Sequence, residues 1–101
     1  MATEDVLAEL ERWYLAQCDE EWEHNYGVVI GTLDNPGWQV SVDLIDTPLD
    51  TMPYERAEAH RTEDDWVVSW RSEQKWEAAC GPLNLREALA LFLAWSRSAP
   101  A

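Results

Sequence analysis

Residues 27–44 of the chain, GVVIGTLDNPGWQVSVDL, hold two strand-like runs on either side of the clearest turn in the sequence. In Asp34-Asn35-Pro36-Gly37, Pro fixes φ at the first central position and Gly accepts the positive φ that a type II turn needs next. The run before the turn is rich in β-branched residues, and the run after it alternates apolar and polar residues. The stretch therefore predicts a β-hairpin whose second strand has one apolar face and one polar face.

The segment before this hairpin is predicted to form an amphipathic helix. Thr3 is placed to cap the helix, and Glu4 and Asp5 then lie in its first turn, where carboxylates favour the positive end of the helix dipole. The apolar stripe recurs at three- and four-residue spacing and consists of Val6, Leu7, Leu10, Trp13, Tyr14 and Cys18. Because the stripe ends near the start of an acidic run, helix is expected to give way to sheet there.

The second half of the chain is predicted to add further strands and a closing helix. Residues 54–60 suit an edge strand rich in charge, and their composition suits a helix as well. Residues 66–71 and 75–80 show the alternation of strands. Asn84 stands three residues before Glu87, which is the spacing of a capping box, and an apolar stripe typical of a helix follows.

Together these elements predict an α+β fold in which an antiparallel sheet of about five strands is flanked by an N-terminal and a C-terminal helix. Short connections favour a meander, and the two amphipathic helices are expected to cover one face of the sheet. With 101 residues, 47% of them hydrophobic, the chain is long enough for one core and too short for two. Residues 1–101 are therefore interpreted as one domain.

The balance of charge is strongly acidic. Twenty acidic residues against seven basic ones give a formal charge of −13, which argues against direct binding to nucleic acid or to an anionic membrane surface. A partner is expected to be basic, although the charge also serves solubility alone. The start of the chain lacks the features of a signal peptide, and no stretch approaches the roughly 20 apolar residues of a membrane span. A cytoplasmic location is therefore expected.

Motifs for catalysis and metal binding are missing from the sequence. His24 follows the acidic run of residues 19–23, which can supply a general base and an orienting acid, but carboxylates in so polar a stretch are usually solvated. The two histidines, His24 and His60, and the two cysteines lack the paired spacing of a zinc site. We therefore predict no catalytic residue, no metal and no cofactor.

Tryptophan and acidic residues supply the candidates for partner binding. Trp22 and Trp38 each stand beside a turn and beside carboxylates, where a Trp either packs or anchors an interface. Acidic clusters that meet on one face attract a basic surface, whereas an isolated charge run is usually just solvated. Four other Trp residues lie on stripes typical of a core, namely Trp13, Trp66, Trp70 and Trp95. The predicted partner-binding residues are Glu20, Glu21, Trp22, Glu23, Asp34, Trp38, Glu63, Asp64 and Asp65.

An ordered set of motifs links the helix to the hairpin. Its members are Trp13-Tyr14, Gln17-Cys18, Trp22-Glu23-His24, Tyr26-Gly27, residues 32–38 (TLDNPGW), Asp43-Leu44 and Thr47. A looser set follows at Asp65-Trp66 and at residues 81–85, GPLNL. Together the two sets resemble immunity protein 53, a family of bacterial polymorphic-toxin immunity proteins, over most of the chain.

The resemblance implies a small cytoplasmic protein that binds and neutralises a toxin encoded next to it, without a catalytic residue or a cofactor. Two departures from the family pattern stand out. A Gly-containing turn is expected before Trp22, where this chain has Glu20-Glu21, and a bulkier polar residue is expected where Gly31 stands. Gly31 is predicted to weaken its strand or to mark a bulge. From the charge, rather than from the resemblance, we hypothesise that the toxin is basic, and nucleases are one such class.

Two other classes of function also fit the sequence. The first is a small-ligand-binding or enzyme domain with a pocket between sheet and helices near His24 and Trp38. The second is a subunit of a stable homo-oligomer, since the sequence does not predict the oligomeric state. A tight complex with a protein encoded nearby distinguishes the inhibitor from both.

Overall fold

The computed structural model describes residues 5–99. In it, five antiparallel strands form one sheet, and two long helices lie against one of its faces. In chain order the elements are α1 (Val6–Gln17), α2 (Trp22–Asn25), β1 (Val28–Leu33), β2 (Gly37–Asp43), β3 (Ala57–Thr62), β4 (Asp65–Ser72), β5 (Lys75–Cys80) and α3 (Leu85–Ser96). The predicted α+β fold is confirmed. None of the helices in the described range combines the length and the apolar character that crossing a membrane requires.

The strands lie in the order β1-β2-β5-β4-β3, so the sheet is not a simple meander. The predicted hairpin consists of β1 and β2, the other three strands form a second antiparallel unit, and β2 pairs with β5 to join the two. Residues 44–56 carry the chain to the far edge, where β3 confirms the edge strand predicted near residues 54–60. Arg71 on β4 holds this connection. Its guanidinium donates hydrogen bonds to the backbone carbonyls of Leu49, Asp50 and Met52.

The hydrophobic core lies between the helices and one face of the sheet. Trp76, on the central strand β5, is fully buried, and its ring packs against Phe92 of α3 with 5.2 Å between ring centroids. The other core residues are Val6, Leu10, Val40, Val42, Leu44, Leu49, Val67, Ala78, Cys80, Ala88, Leu89 and Leu93. Burying each large side chain contributes roughly 1.5–3 kcal/mol. The alternation predicted for β2 is therefore confirmed, because its apolar phase faces this core.

The prediction that Trp66 and Trp70 belong to the core is wrong. Val67 and Ser69 of β4 are buried and point toward the helices, in register with the core side of β5. Successive side chains of a strand point to opposite faces, so both Trp rings lie on the other face, where they are half-buried. The outer phase of β4 is more apolar than the inner phase, where Ser69 and Arg71 accompany Val67, so the periodicity indicates the wrong side as the core.

The helix ends differ in detail from the predicted caps. Asp5 is the N-cap of α1 rather than a first-turn residue, and its carboxylate accepts a 3.2 Å hydrogen bond from a backbone N–H of that turn. Thr3 and Glu4 lie outside the described residues. The Asn84 side chain makes no capping hydrogen bond to α3. Its amide donates instead to the Glu87 carboxylate at 3.0 Å, so the capping-box spacing joins the two side chains.

Gly37 serves the hairpin through close packing and not through a positive φ. No glycine among residues 5–99 has a positive φ, so the predicted type II geometry is wrong. Gly37 pairs with Leu33, and a Cβ at Gly37 would lie 2.3 Å from the backbone oxygen of Cys80. Gly31 is under no such constraint. The register of β1 is regular there, without a bulge, and a Cβ would meet only the Gln39 side chain, at 3.8 Å.

We expect Gly31→Thr to raise the free energy of unfolding by up to about 1 kcal/mol, because a β-branched residue suits a strand and has room at this position. The matched control is Gly37→Ala, which should lower the free energy of unfolding by roughly 1–3 kcal/mol, since its methyl group meets backbone and not a flexible side chain. Urea denaturation of both variants measures the two effects. A Gly31→Thr variant less stable than the wild type would contradict the prediction.

Candidate partner-binding surface

The predicted partner-binding residues are divided between the two ends of the sheet. Asp34 lies in the β1–β2 turn, Glu63 and Asp64 lie in the β3–β4 turn, and Asp65 begins β4. The last residue of β5 pairs with both β2 and β4, so the two turns stand at the same end of the sheet. We call the surface formed by these four residues the hairpin end.

The acidic run that follows α1 lies at the opposite end. The indole of Trp22 donates a 2.9 Å hydrogen bond to the carbonyl of Ile45, just past the last residue of β2. Glu20 and Glu21 are exposed there, and their carboxylates make no hydrogen bond or ion pair with another described residue. We call this surface the α2 end, and its carboxylates are Asp19, Glu20, Glu21, Glu23, Asp43, Asp46 and Glu73. Since β2 spans seven residues, roughly 20 Å separates the two ends.

Two carboxylates of the acidic run build the turn that leads into α2. The Asp19 carboxylate accepts hydrogen bonds from the backbone N–H groups of Glu21 at 3.0 Å and Trp22 at 2.8 Å. The Glu23 carboxylate reaches back and accepts from the N–H groups of Asp19 at 2.9 Å and Glu20 at 2.8 Å. These reciprocal bonds satisfy backbone donors that the helix start leaves unpaired. Asp19 and Glu23 are therefore structural, whereas Glu20 and Glu21 remain available to a partner.

The same hydrogen bonds shift the pKa values of both carboxylates downward. The N–H of Trp22, followed by that of Glu21, holds the pKa of Asp19 below its ordinary value of 3.8. The pKa of Glu23 is held below 4.5 by its own backbone N–H and by those of Asp19 and Glu20. Donors that bind a carboxylate stabilise its ionised form. Both groups are therefore charged at neutral pH.

Two adjoining depressions form at the α2 end, with volumes of about 580 and about 260 Å³. Tyr26 lines both of them, so they form one surface, which we call the acidic groove. Its carboxylates are Asp19, Glu21, Asp43, Asp46 and Glu73. Lys75 also lines the groove and lies 3.3 Å from the Asp43 carboxylate, which it partly neutralises. The groove therefore presents an excess of negative charge.

Three residues at this end have a left-handed backbone conformation. The φ angle is 76° at Glu20, 61° at Asp46 and 51° at Glu73, and these are the only positive φ values of non-glycine residues within 5–99. Glu73 stands in a two-residue hairpin, where the turn itself demands such a φ. Asp adopts this conformation readily, whereas at Glu20 it costs roughly 1–2 kcal/mol. Backbone strain is concentrated at functional sites, which favours the α2 end as the candidate surface.

Trp22 and Trp38 both pack within the fold. Trp22 is only 4% exposed, and its ring lies edge-on to Trp13 and Tyr14. Trp38 is half-buried against the core, and its indole donates a 3.0 Å hydrogen bond to the carbonyl of Pro82. Of the two roles left open by the sequence, the structure favours packing for both. Trp22 supports the acidic groove, whose floor it lines.

The hairpin end carries its charge differently. Asp65 is held by Arg61 at 2.9 Å and by the amide of Asn84 at 2.9 Å, and these two partners lower its pKa. Arg61 also bridges to Glu87 on α3 at 2.6 Å, so the cluster ties β3 to the last helix. Asp65 is thus part of the scaffold. The exposed carboxylates at this end are Asp34, Glu63 and Asp64.

The acidic groove contains residues that the sequence did not predict as partner contacts, namely Asp43, Asp46 and Glu73. The alternation of β2 indicates that Asp43 points away from the core, but only the strand order places it beside Glu73 and Lys75. Carboxylates so arranged accept hydrogen bonds from Arg and Lys side chains.

Among residues 5–99, no group of three or more His, Cys, Asp or Glu residues is arranged to hold a metal ion.

His24 and Trp38, between which a pocket was expected, lie at opposite ends of the sheet. His24 is exposed on α2, at one end of the sheet, whereas Trp38 lies near the hairpin end, where β2 begins. The connectivity of the sheet separates the two residues that a small-ligand or enzyme function was expected to use. The structure therefore gives no support to that alternative.

We expect Glu20→Gly to raise the free energy of unfolding by about 0.5–1 kcal/mol, because glycine adopts a positive φ without a Cβ clash. The matched control is Glu21→Gly, which removes the same charge at a neighbouring residue with a φ of −128°. That control should lower the free energy of unfolding by about 0.5–1 kcal/mol, because glycine gains no relief there. Thermal unfolding followed by circular dichroism measures both. Shifts of the same sign in the two variants would argue against strain at Glu20.

The downward pKa shifts of Asp19 and Glu23 predict how the α2 turn responds to acid. A carboxylate with a lowered folded-state pKa contributes stability that is fully present above its unfolded pKa. That contribution is lost as the pH falls through the lower, folded-state pKa, so the turn should loosen only below about pH 4. Carbon-13 NMR titration of the two carboxyl groups measures both values. A midpoint at or above 3.8 for Asp19 or 4.5 for Glu23 would contradict the lowered pKa values and this account of the acid response.

Comparison with known proteins gives one result. The family model described as immunity protein 53 matches residues 7–97, a range that covers both ends of the sheet and all five strands. No curated protein and no solved structure matches the chain. The match covers both the ordered set of motifs that resembles the family closely and the later set that resembles it loosely. The chain belongs to the immunity protein 53 family.

Proposed function

We propose that this chain protects a bacterium by binding and neutralising a basic toxin encoded beside its own gene, as part of a polymorphic-toxin system. Membership of the immunity protein 53 family carries the proposal, because an immunity protein acts by binding its cognate toxin. In this proposal the chain acts in the cytoplasm of the producing cell. It blocks the toxin by contact, without catalysis or a cofactor.

The charge of the chain supports a basic toxin. The formal charge of −13 is partly gathered in the acidic groove, where a concave shape and several carboxylates suit the cationic side chains of a partner. Opposite potentials on two surfaces raise their association rate and suppress wrong partners. We therefore assign Glu20, Glu21, Asp43, Asp46 and Glu73 as contacts of the toxin.

The remaining predicted residues take secondary roles in this proposal. Asp34, Glu63 and Asp64 are exposed at the hairpin end and extend the negative field that a basic toxin meets on approach. The residues that hold the surface in shape from within are Trp22, Glu23, Trp38 and Asp65. Their replacement is expected to act through folding rather than through a lost contact.

A nuclease is the class of toxin that this charge fits best. A nuclease must bind phosphates, so the surface that holds its substrate carries Lys and Arg. Carboxylates arranged along a groove can occupy those side chains in place of the phosphates and so exclude the nucleic acid. This link rests on charge, and an acidic cognate toxin would overturn it.

The first test is co-expression of the chain with the product of the adjacent gene in a sensitive bacterium, scored by survival. Co-purification should then give a complex whose affinity falls as salt rises from about 50 to 500 mM, because screening weakens contacts between charged surfaces. The immunity function would be overturned if cells that express the adjacent gene survive without the chain, or if no complex forms at low salt. A complex unaffected by salt would overturn only the charge-based contacts.

Two matched triple variants then distinguish the ends of the sheet. Each removes three exposed carboxylates without changing side-chain size, and the first set is Glu20→Gln, Glu21→Gln and Asp46→Asn. The control set is Asp34→Asn, Glu63→Gln and Asp64→Asn. We expect the first to weaken toxin binding about tenfold or more at low salt and the control about threefold or less, because only the first borders the acidic groove. The reverse order would move the contact to the hairpin end.

A further inference from the structure

One face of the sheet is not covered by a helix in the described part of the chain. The helices pack on the face that carries Trp76, and the strand registers place every second residue on the other side. We call that side the open face and define it by Gln39, Glu58, Trp66, Val68, Trp70 and Glu77. These residues lie on four adjacent strands, so the open face is broad and continuous.

The composition of the open face is not that of an ordinary solvated surface. The exposed face of an antiparallel sheet is usually polar, yet half-buried Trp66 and Trp70 lie on this one, with Val68 buried between them. Val29, on the edge strand β1, lies on the same face and is 62% exposed. Aromatic residues are enriched in protein interfaces, where they supply large contact areas at low entropic cost. The open face therefore has the composition of an interface.

Trp70 and Glu77 form a site for a cationic side chain at the centre of this face. They are direct cross-strand partners on β4 and β5. The guanidinium of Arg56 lies 5.4 Å from the centre of the Trp70 ring, so a cation of the chain itself stacks there and a cation from a partner would take its place. Arg56 pairs with Glu58 at 2.6 Å, whereas Glu77 makes no ion pair with any described residue. A guanidinium from a partner can stack on Trp70 and bind the Glu77 carboxylate at once.

The open face continues into the acidic groove. Asp43, Lys75 and Ser72 form the last cross-strand row of this side of the sheet, and the same three residues line the larger depression of the groove. Five strands about 4.8 Å apart and roughly 20 Å long give a face of about 400 Å². A stable interface buries roughly 800 Å² on each partner. The face alone is therefore smaller than a stable interface, and the adjoining groove adds to it.

The net charge of the chain indicates which kind of partner binds the open face. A second copy of the chain would bring a formal charge of −13 against −13, so the two copies would repel each other. A basic protein surface meets no such repulsion and supplies the cation that Glu77 lacks. We infer that the open face is the central part of the toxin-binding surface, where Trp70 and Glu77 bind an arginine or lysine side chain of the toxin. This inference rests on the proposed immunity function.

The decisive variant is Glu77→Arg, and its matched control is Glu11→Arg, which makes the same charge change at an exposed residue of α1 on the far side of the molecule. Binding to the purified product of the adjacent gene is measured by calorimetry, and thermal unfolding verifies that each variant is folded. We expect Glu77→Arg to weaken binding at least 100-fold and Trp70→Ala about tenfold or more. Glu11→Arg should change the affinity less than threefold.

A second variant keeps the test valid if Glu77→Arg does not fold. Gln39 is exposed on the open face and its side chain makes no hydrogen bond within the described residues, so Gln39→Arg should fold and weaken binding by steric and charge conflict. Wild-type affinity in both open-face variants would overturn the inference and leave the immunity function intact. A wild-type chain that neither rescues cells nor binds the toxin would overturn both. If the wild-type chain is a dimer and Glu77→Arg dissociates it, the occupant of the open face is a second copy of the chain and not the toxin.

Discussion

The pairing of β2 with β5 is the contact on which the rest of the structure depends. It joins the first hairpin to the second antiparallel unit, and it brings Val42 beside Trp76 at the centre of the core. The close approach of Gly37 to the backbone of Cys80 is possible only because glycine lacks a side chain. A one-residue slip in this register would turn the buried face of one of the two strands outward. The two faces of the sheet, and so the open face and the core, are therefore defined by this pairing.

The parts of the fold that depend on local sequence could be predicted, and those that depend on distant partners could not. The hairpin at residues 28–43 and the amphipathic helices follow from turn residues and periodicity alone. The place of β5 between β2 and β4 follows from a long connection held by Arg71, which no local pattern reveals. The prediction for Trp66 and Trp70 is wrong for a related reason, since the more apolar phase of β4 faces away from the helices and only the pairing with β5 shows which phase is buried.

The same distinction applies to the candidate surface. The sequence identifies the acidic run after α1. It does not show which of the four carboxylates stabilise the turn and which stay exposed. Asp19 and Glu23 bind backbone N–H groups of the turn, whereas Glu20 and Glu21 remain exposed. The family pattern does contain one signal of this geometry. A glycine-containing turn is expected where Glu20 now stands, and the φ of 76° explains why glycine would suit that position.

An excess of negative charge destabilises a compact chain by self-repulsion, and the arrangement of cations shows how this fold limits the cost. Arg97 bridges α3 to Glu9 on α1, Arg61 bridges β3 to α3, and Arg71 holds the long connection. These positive charges hold the scaffold together, and the exposed carboxylates of the α2 end and the hairpin end lie roughly 20 Å apart, beyond the Debye length at physiological salt. A small protein can thus present a negative surface to a partner because several of its few cations are used for folding. The same distribution of charged residues leaves exposed carboxylates for a basic toxin and places cations in ion pairs that stabilise the fold.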